Sequence, residues 1–389
     1  MSIPLRNPVR SLYVHVPFCA KKCGYCAFYS EASEGEIMGR YVEALNRELE
    51  WVAGDCSLET VFFGGGTPSL LSLRHWEAVL GAFGRHGLLG ATEWTVECNP
   101  ATVSADKARL LRDHGVNRIS MGVQTLDEGL LERLGRVHTR DMVFRSFDIL
   151  RAAGFENINL DLMFAIPGQT AEVWDATLDE VFAMGSEHLS CYEVIYEEDT
   201  PLYSQLQAGE FDVDESLACG MYDRLLDRAA ERGFRQYEVA NFARNRQGEG
   251  PGDPGLACRH NINYWRGGAF HGLGPSAVSL VDGERRANGA NTRRYCEQMS
   301  RGERPVAWSE RLSPLSRAGE VAAFGLRMND GWSFEEFIAV TGFDLREEWS
   351  EEMDRLRGLD YGVIDGGRFH LTGQGLRYAD WAAEMFLRT

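Results

Sequence analysis

Tyr13-Val-His-Val-Pro-Phe-Cys19-Ala-Lys-Lys-Cys23-Gly-Tyr-Cys26 places three cysteines within eight residues, directly after a short apolar run. The spacing is C-x3-C-x2-C. Three thiolates on one loop suffice for three irons of a cuboidal iron–sulfur cluster. A closed structural zinc site wants four ligands, usually two C-x2-C pairs, and the chain has no second pair. The fourth iron of a 4Fe–4S cluster would then stay open to a small molecule. Gly24 lets the loop bend tightly around a metal. Chance cysteines or a thiol redox site are the alternatives, and the position after a predicted strand favours the cluster.

That preceding run, Ser11–Val16, is the first of six strand-like segments. The others are Thr60–Phe63, Glu93–Glu97, Asn117–Met121, Asn157–Leu162 and His188–Glu193. Helical patterns lie between them. Ile37, Tyr41, Leu45 and Leu49 form one apolar stripe. Ser104 is suited to cap the next helix, and Gly115 to end it in a left-handed turn. Six strand–helix alternations predict an α/β fold with a parallel sheet. In such sheets chemistry gathers at the C-terminal strand ends. The unusual motifs stand there: PFC after the first strand, GGGTP after the second, ECNP after the third and GVQT after the fourth. Sites from many strand ends facing one centre favour a partial (β/α)6 barrel over an open sheet.

The 389 residues suggest two or three domains. The expected division is the barrel over 1–240, a linking region over 241–310, and a C-terminal domain over 311–389. In the linking region GEGPGDPG (248–255) reads as a surface loop, and it leads into Cys258-Arg-His260-Asn-Ile-Asn-Tyr264-Trp265. Gly272-Leu-Gly274-Pro-Ser-Ala277 fits a loose dinucleotide pattern but follows no clean apolar strand, so it reads as a structural turn. The last part carries helical stretches near Arg317–Met328, Ser333–Val340 and Leu345–Leu359. Two short strands then flank Asp365-Gly366-Gly367, and a last helix follows Thr372. This is the outline of a small winged-helix-like α+β domain. It is the wrong sign for DNA: Asp344–Asp360 holds seven acidic and three basic residues.

The formal net charge of −18 argues against a general nucleic-acid surface and against broad attachment to anionic lipid. No apolar run reaches the ~18 residues of a membrane span. The N-terminus lacks the apolar stretch and cleavage site of a signal peptide, so the chain reads as cytoplasmic. Nine cysteines, an odd number, do not suggest a disulfide scaffold, and the six outside the triplet default to buried small side chains.

The cysteine segment resembles the signature of the radical SAM superfamily. The resemblance implies that the amino and carboxylate groups of S-adenosylmethionine (SAM) chelate the open iron. Electron transfer then cleaves SAM to a 5'-deoxyadenosyl radical, with the protein supplying position and exclusion of water. Phe63-Gly64-Gly65-Gly66-Thr67-Pro68 is similar to the superfamily's Gly-rich motif, although alone it reads equally as a tight turn. Glu97, Gln124, Arg136 and Asp161 stand at or just beyond strand ends, and each alone is an ordinary polar residue. Together with Tyr13, Tyr25, Gly65, Gly66 and Thr67 they resemble the SAM-contacting set of the coproporphyrinogen-oxidase-like branch. A carboxylate suits a ribose diol or amino group, and Arg136 suits a carboxylate.

Two families of that branch compete: the oxygen-independent coproporphyrinogen III dehydrogenases (HemN) and the haem chaperones (HemW), which deliver haem to apo-proteins. HemN proteins carry a fourth cysteine where Cys26-Ala27-Phe28 has Phe28. They also carry a long N-terminal extension, and here the first strand starts near Ser11. His260-Asn-Ile-Asn-Tyr264-Trp265 matches the H-N-x-x-Y-W motif typical of HemW. An imidazole is a common haem ligand and aromatics stack on a porphyrin. His260, Tyr264 and Trp265 are therefore expected haem contacts. Cys258, His15 and His271 are rival ligands, and a packed, hydrogen-bonded histidine is the structural alternative. The resemblance also suggests a homodimer and a peripheral contact with the cytoplasmic membrane.

Overall fold

Six parallel strands form the centre of the computed structural model, which describes residues 8–32, 35–246 and 254–388. They are β1 (Val9–Val16), β2 (Cys56–Gly65), β3 (Glu93–Cys98), β4 (Arg118–Gln124), β5 (Ile158–Phe164) and β6 (His188–Glu193). Each pairs with the next in chain order. Parallel neighbours need crossover connections, and helices Gly35–Val52, Leu73–Arg85, Ala105–Asp113, Arg140–Ala152 and Ala171–Met184 lie between the strands. The expected stripe of Ile37, Tyr41, Leu45 and Leu49 is buried along the first of these helices. Ser104 caps Ala105–Asp113 by accepting from Lys107 N–H, and Gly115 follows that helix with φ +99°.

The strands alternate between two environments. Leu12, Val14, Val61, Phe63, Val96 and Leu160 belong to the apolar core that the helices share. Ser11, His15, Thr60, Glu93, Thr95, Arg118, Asn159 and His188 alternate with such residues and are buried as well. The result is a partial (β/α)6 barrel with a polar lumen. The barrel stays open. Beyond β6, Asn241–Ala243 and Arg235–Glu238 continue the sheet antiparallel, and on the far side His271–Leu273 pairs parallel with β1. The stretch 241–310, expected as a linking region, thus adds a strand on each side of the main sheet. It also forms a three-stranded sheet of its own, from Val278–Val281, Glu284–Asn288 and Val306–Glu310.

Gly274, in the dinucleotide-like pattern, has a purely local reason. Its φ is +97°, a Cβ there would stand 2.4 Å from the His15 carbonyl, and its N–H donates to Glu48 Oε2 at 2.8 Å. The Gly/Pro-rich segment 248–255 lies outside the described residues except for its last two.

The C-terminal module runs helix Pro314–Gly325, strand Trp332–Ser333, helix Phe334–Thr341, helix Ser350–Gly358, then strands Gly362–Asp365 and Arg368–Leu371. The three strands make one antiparallel sheet, the arrangement of a winged helix. The single helix expected over Leu345–Leu359 is two, Leu345–Glu348 and Ser350–Gly358. Trp349 leaves helical geometry between them, buries its ring and donates Nε1–H to the Phe386 carbonyl at 2.9 Å. No helix among the described residues is long and apolar enough to cross a membrane.

Candidate cluster and cofactor site

The cysteine loop leaves the C-terminal end of β1. Phe18–Cys19 pairs with Glu31–Ala32 and closes the loop that carries Cys23 and Cys26. All three thiols are free and half-buried. Thr67 Oγ1 donates to Cys19 Sγ at 3.6 Å, and Arg136 Nη1 donates to Cys23 Sγ at 3.5 Å. A hydroxyl donor and a cation so placed complement the negative charge that sulfur carries when it ligates a metal. Backbone bonds pin the loop from outside: Gly24 N–H to the Leu134 carbonyl at 3.0 Å, and Leu202 N–H to the Gly24 carbonyl at 2.9 Å. Among the described residues no three metal-ligating side chains converge on one ion. A cuboidal cluster takes each thiolate on a different iron and needs no such convergence. Phe28 is 70% exposed beside the loop.

The glycine run forms a cradle against that loop. Gly66 N–H donates to the Val16 carbonyl at 2.8 Å and Thr67 N–H to the Phe18 carbonyl at 2.7 Å. Gly65 has φ +99°, and a Cβ there would stand 2.4 Å from the His15 ring. Only glycine fits such a position. Arg136 reaches Cys23 and the Gly122 carbonyl together. Gln124 sits where the β4 register shifts, at φ 68°, an unfavourable conformation for a residue with a side chain. Tyr25 shares one electrostatic neighbourhood with Arg136, Cys23, Cys26 and Asp161. Tyr13 Oη bonds His15 Nδ1 at 3.0 Å, its ring lies against Phe62, and it feels the Glu97 charge. The structure thus gathers the expected residues at the C-terminal strand ends. Thiols with sulfur-directed donors, a cradle closed to side chains, an arginine and two half-buried carboxylates fit a 4Fe–4S cluster with SAM.

The Asp161 charge acts on Glu97. Burial first, and then the like charge of Asp161, push Glu97 up to about 8. Burial raises Asp161 too, against hydrogen bonds from Asn159 and Ser120 and the charge of Arg118. The folded-state value of Glu97 exceeds its unfolded value, so the folded chain holds a proton that the unfolded chain releases. That contribution is full below about pH 4.5 and is lost as pH rises through 8. From pH 6 to 9 the loss is on the order of 3 kcal/mol at ~1.4 kcal/mol per unit. Metal-free protein is expected to melt at lower temperature at pH 9 than at pH 6, and Glu97→Gln to flatten that decline. An equal decline in the variant would place the titration elsewhere.

His260 stands apart from this cluster site. Its helix, Arg259–Trp265, lies across the N-terminal ends of β2 and β3. Glu93 Oε1 accepts from His260 N–H at 3.0 Å and Glu93 Oε2 from Arg259 N–H at 2.9 Å. The imidazole is 1% exposed, stacked on Phe62, and bonded through Nδ1 to Thr60 Oγ1 at 2.9 Å and through Nε2 to Tyr264 Oη at 2.8 Å. Burial and the Arg118 charge push it down to about 3, so it is neutral. Both nitrogens are spent, which is the structural alternative and not an open ligand. Of the rivals, His15 is bonded to Tyr13 Oη and the Tyr29 carbonyl, and Cys258 Sγ to Glu93. His271 Nε2 is buried without a protein partner. Trp265 carries Arg327 over its ring at 4.9 Å, where the C-terminal module packs on this helix.

Glu93, Arg118, His188 and Tyr237 were not expected. All are buried in or beside the lumen. The available signal was a charged or polar residue at every second position of strands that otherwise read as apolar.

Comparison with known proteins follows the same lines. Residues 13–181 match the model of the radical SAM superfamily, and residues 312–378 that of the HemN C-terminal domain. Heme chaperone HemW of Lactococcus lactis is 33% identical over 98% of both chains. The Bacillus subtilis protein of the same name is 33% identical over 87% of this chain and 88% of its own. Radical S-adenosyl methionine domain-containing protein 1, mitochondrial, of Danio rerio is 35% identical over 97% and 87%. The structure of Escherichia coli coproporphyrinogen III oxidase (HemN) superposes with a TM-score of 0.83 at 20% identity, covering 98% of this chain and 90% of that one, a likeness of fold.

Proposed function

The chain belongs to the HemW family of the radical SAM superfamily, and on that premise we propose that it is a haem chaperone, binding haem and passing it to apo-haem proteins. Its likeness to haem chaperones along 98% of both chains carries this reading. Phe28, where coproporphyrinogen dehydrogenases carry a fourth cysteine, supports it. Superfamily membership implies a 4Fe–4S cluster and SAM. Cys19, Cys23 and Cys26 would hold the cluster, and cluster with SAM supplies one-electron chemistry when bound. Arg136 suits the SAM carboxylate. Glu97 and Asp161 suit its hydroxyls or amino group, and Gly65, Gly66 and Thr67 offer backbone contacts. Tyr13, Tyr25 and Gln124 complete the proposed SAM set.

For haem, His260 would have to release Thr60 and Tyr264 before it could ligate iron. His271 Nε2 is buried too and would have to be uncovered, but it has no protein partner to release, and that favours His271 as the axial ligand. A cytoplasmic location, a homodimer and a peripheral membrane contact belong to the same proposal.

One anaerobically reconstituted sample tests it. Haem titration is expected to saturate at micromolar concentration or below, with a Soret band that His271→Ala shifts and His260→Ala leaves in place. Supplied with reductant, SAM and coproporphyrinogen III, the same sample is expected to form no protoporphyrinogen IX. Absence of haem binding at micromolar concentration removes the chaperone reading, and turnover assigns the chain to the dehydrogenases. A Soret shift in His260→Ala alone would return the axial role to His260.

A further inference from the structure

A chain of hydrogen bonds crosses the barrel from Asp161 to the N-terminus of the Arg259–Trp265 helix, and its donors all point one way. Cys258 N–H donates to Tyr237 Oη at 3.1 Å. The same oxygen lies 2.9 Å from His188 Nε2, and His188 Nδ1 lies 2.7 Å from Asn159 Oδ1. Asn159 Nδ2 donates to Asp161 Oδ1 at 2.7 Å and to Ser120 Oγ at 2.7 Å.

The protons follow from elementary chemistry. A carboxylate only accepts, so the Asn159 amide must turn its NH2 toward Asp161 and its carbonyl toward His188. That carbonyl accepts, so His188 Nδ1 carries the hydrogen. His188 is fully buried, and burial and the nearby Arg118 charge keep it neutral. Its Nε2 is therefore an acceptor, and Tyr237 must donate to it. The amide orientation, the imidazole tautomer and the hydroxyl rotor each have a single setting. Strand register supports the same geometry: Asn159 is the β-sheet partner of His188, and Asp161 that of Ser190.

We propose that Tyr237 and His188 are positioning residues for the SAM site: they fix Asn159 and through it Asp161, and they tie the order of that site to the order of the helix that carries His260. The proposal rests on Asp161 as a SAM contact. Removing the Tyr237 hydroxyl leaves His188 Nε2 and Cys258 N–H without partners. The imidazole is then free to change tautomer or turn, and the Asn159 carbonyl keeps only the Ser190 hydroxyl at 3.1 Å, so the amide that donates to Asp161 is held less firmly. Ligand that holds Asp161 in place should conversely steady the chain as far as Cys258, since linkage is reciprocal.

Tyr237→Phe deletes one hydroxyl. Tyr295→Phe is its control: that buried hydroxyl donates to Glu48 Oε2 at 2.7 Å, between the Gly35–Val52 and Thr292–Ser300 helices and outside the chain of bonds. Calorimetry on reconstituted protein is expected to show SAM binding weakened about three- to tenfold by Tyr237→Phe, the scale of one buried hydrogen bond. Tyr295→Phe is expected to leave SAM binding unchanged. Amide exchange of residues 258–265 is expected to slow on SAM addition in wild type and in Tyr295→Phe, and not in Tyr237→Phe. A purely structural hydroxyl would lower the melting temperature in both variants without separating them in SAM affinity. Equal SAM affinity in all three proteins overturns the inference and leaves the SAM-site reading intact. Wild-type exchange indifferent to SAM does the same, and that arm needs no variant to fold. Failure of wild type to bind SAM at all overturns both.

Discussion

Cys23→Ser is expected to reduce iron from about four atoms per chain to well below one after anaerobic reconstitution, with loss of the brown charge-transfer absorption. Cys23 sits at the centre of the loop, and its sulfur receives the Arg136 guanidinium. A serine hydroxyl ionises far less readily than a thiol and is a poor soft ligand. The fold should survive, because the loop is held by backbone bonds from Gly24 to Leu134 and Leu202 that the thiol does not enter. Cys98→Ser and Cys191→Ser are the controls. Both thiols are buried, in the apolar core, and neither belongs to the triplet. Iron analysis, visible absorption and a thermal melt of the three variants check this. A Cys23→Ser protein that keeps its full iron content would remove the cluster assignment.

Glu93→Ala is expected to destabilise the protein by about 3–5 kcal/mol, with the damage centred on the Arg259–Trp265 helix. The carboxylate accepts two backbone N–H groups at the start of that helix, from Arg259 and His260. The helix begins after Cys258 with no side-chain cap of its own. Glu93 is 5% exposed and His260 1%, so truncation leaves the His260 N–H buried without a partner and takes the acceptor from the Arg259 N–H as well. It also leaves the fully buried Arg118 without one of the negative groups it faces. Glu93→Gln keeps an acceptor oxygen and should lose less. Thermal melting and limited proteolysis read the result. Cleavage should move to residues near 258–265 in Glu93→Ala, and a wild-type cleavage pattern would show that the helix is held by other contacts.

The two substitutions differ in kind. Cys23 acts on what the loop binds and touches little of the packing. Glu93 acts on packing across 167 residues of chain and touches neither the cluster loop nor the Gly-rich cradle. The first should therefore be visible in iron content with the melt nearly unchanged, and the second in the melt first.

Much of the site was legible because its signals are local. The C-x3-C-x2-C triplet, the Gly65–Gly66 cradle, Glu97, Gln124 and Asp161 lie in or close to a recognisable strand, whereas Arg136, expected at a strand end, follows the Glu128–Arg133 helix and reaches the strand ends through its side chain. His188–Glu193 was read with its observed bounds, and the other five strands within a few residues at each end. The reading of His260 as a haem ligand was less secure for the same reason. Its environment is built by Thr60, Phe62 and Glu93, and no local pattern near residue 260 names those partners.

Strand–helix alternation and the clustered cysteines, both short-range properties of the chain, determined a parallel α/β sheet with a thiol-rich loop at its C-terminal edge. Tertiary structure alone decided that the inward faces of β1–β6 enclose a buried polar lumen, that 241–310 joins the main sheet, and that both nitrogens of His260 are occupied. The reason is physical. Periodicity reveals which residues share a face of one element, but a buried polar group is satisfied by whatever the folded chain brings opposite it, and those partners lie 21 to 200 residues apart in contacts such as Asn159–His188, His188–Tyr237, Tyr237–Cys258 and Thr60–His260, which exist only when the strands have closed around them.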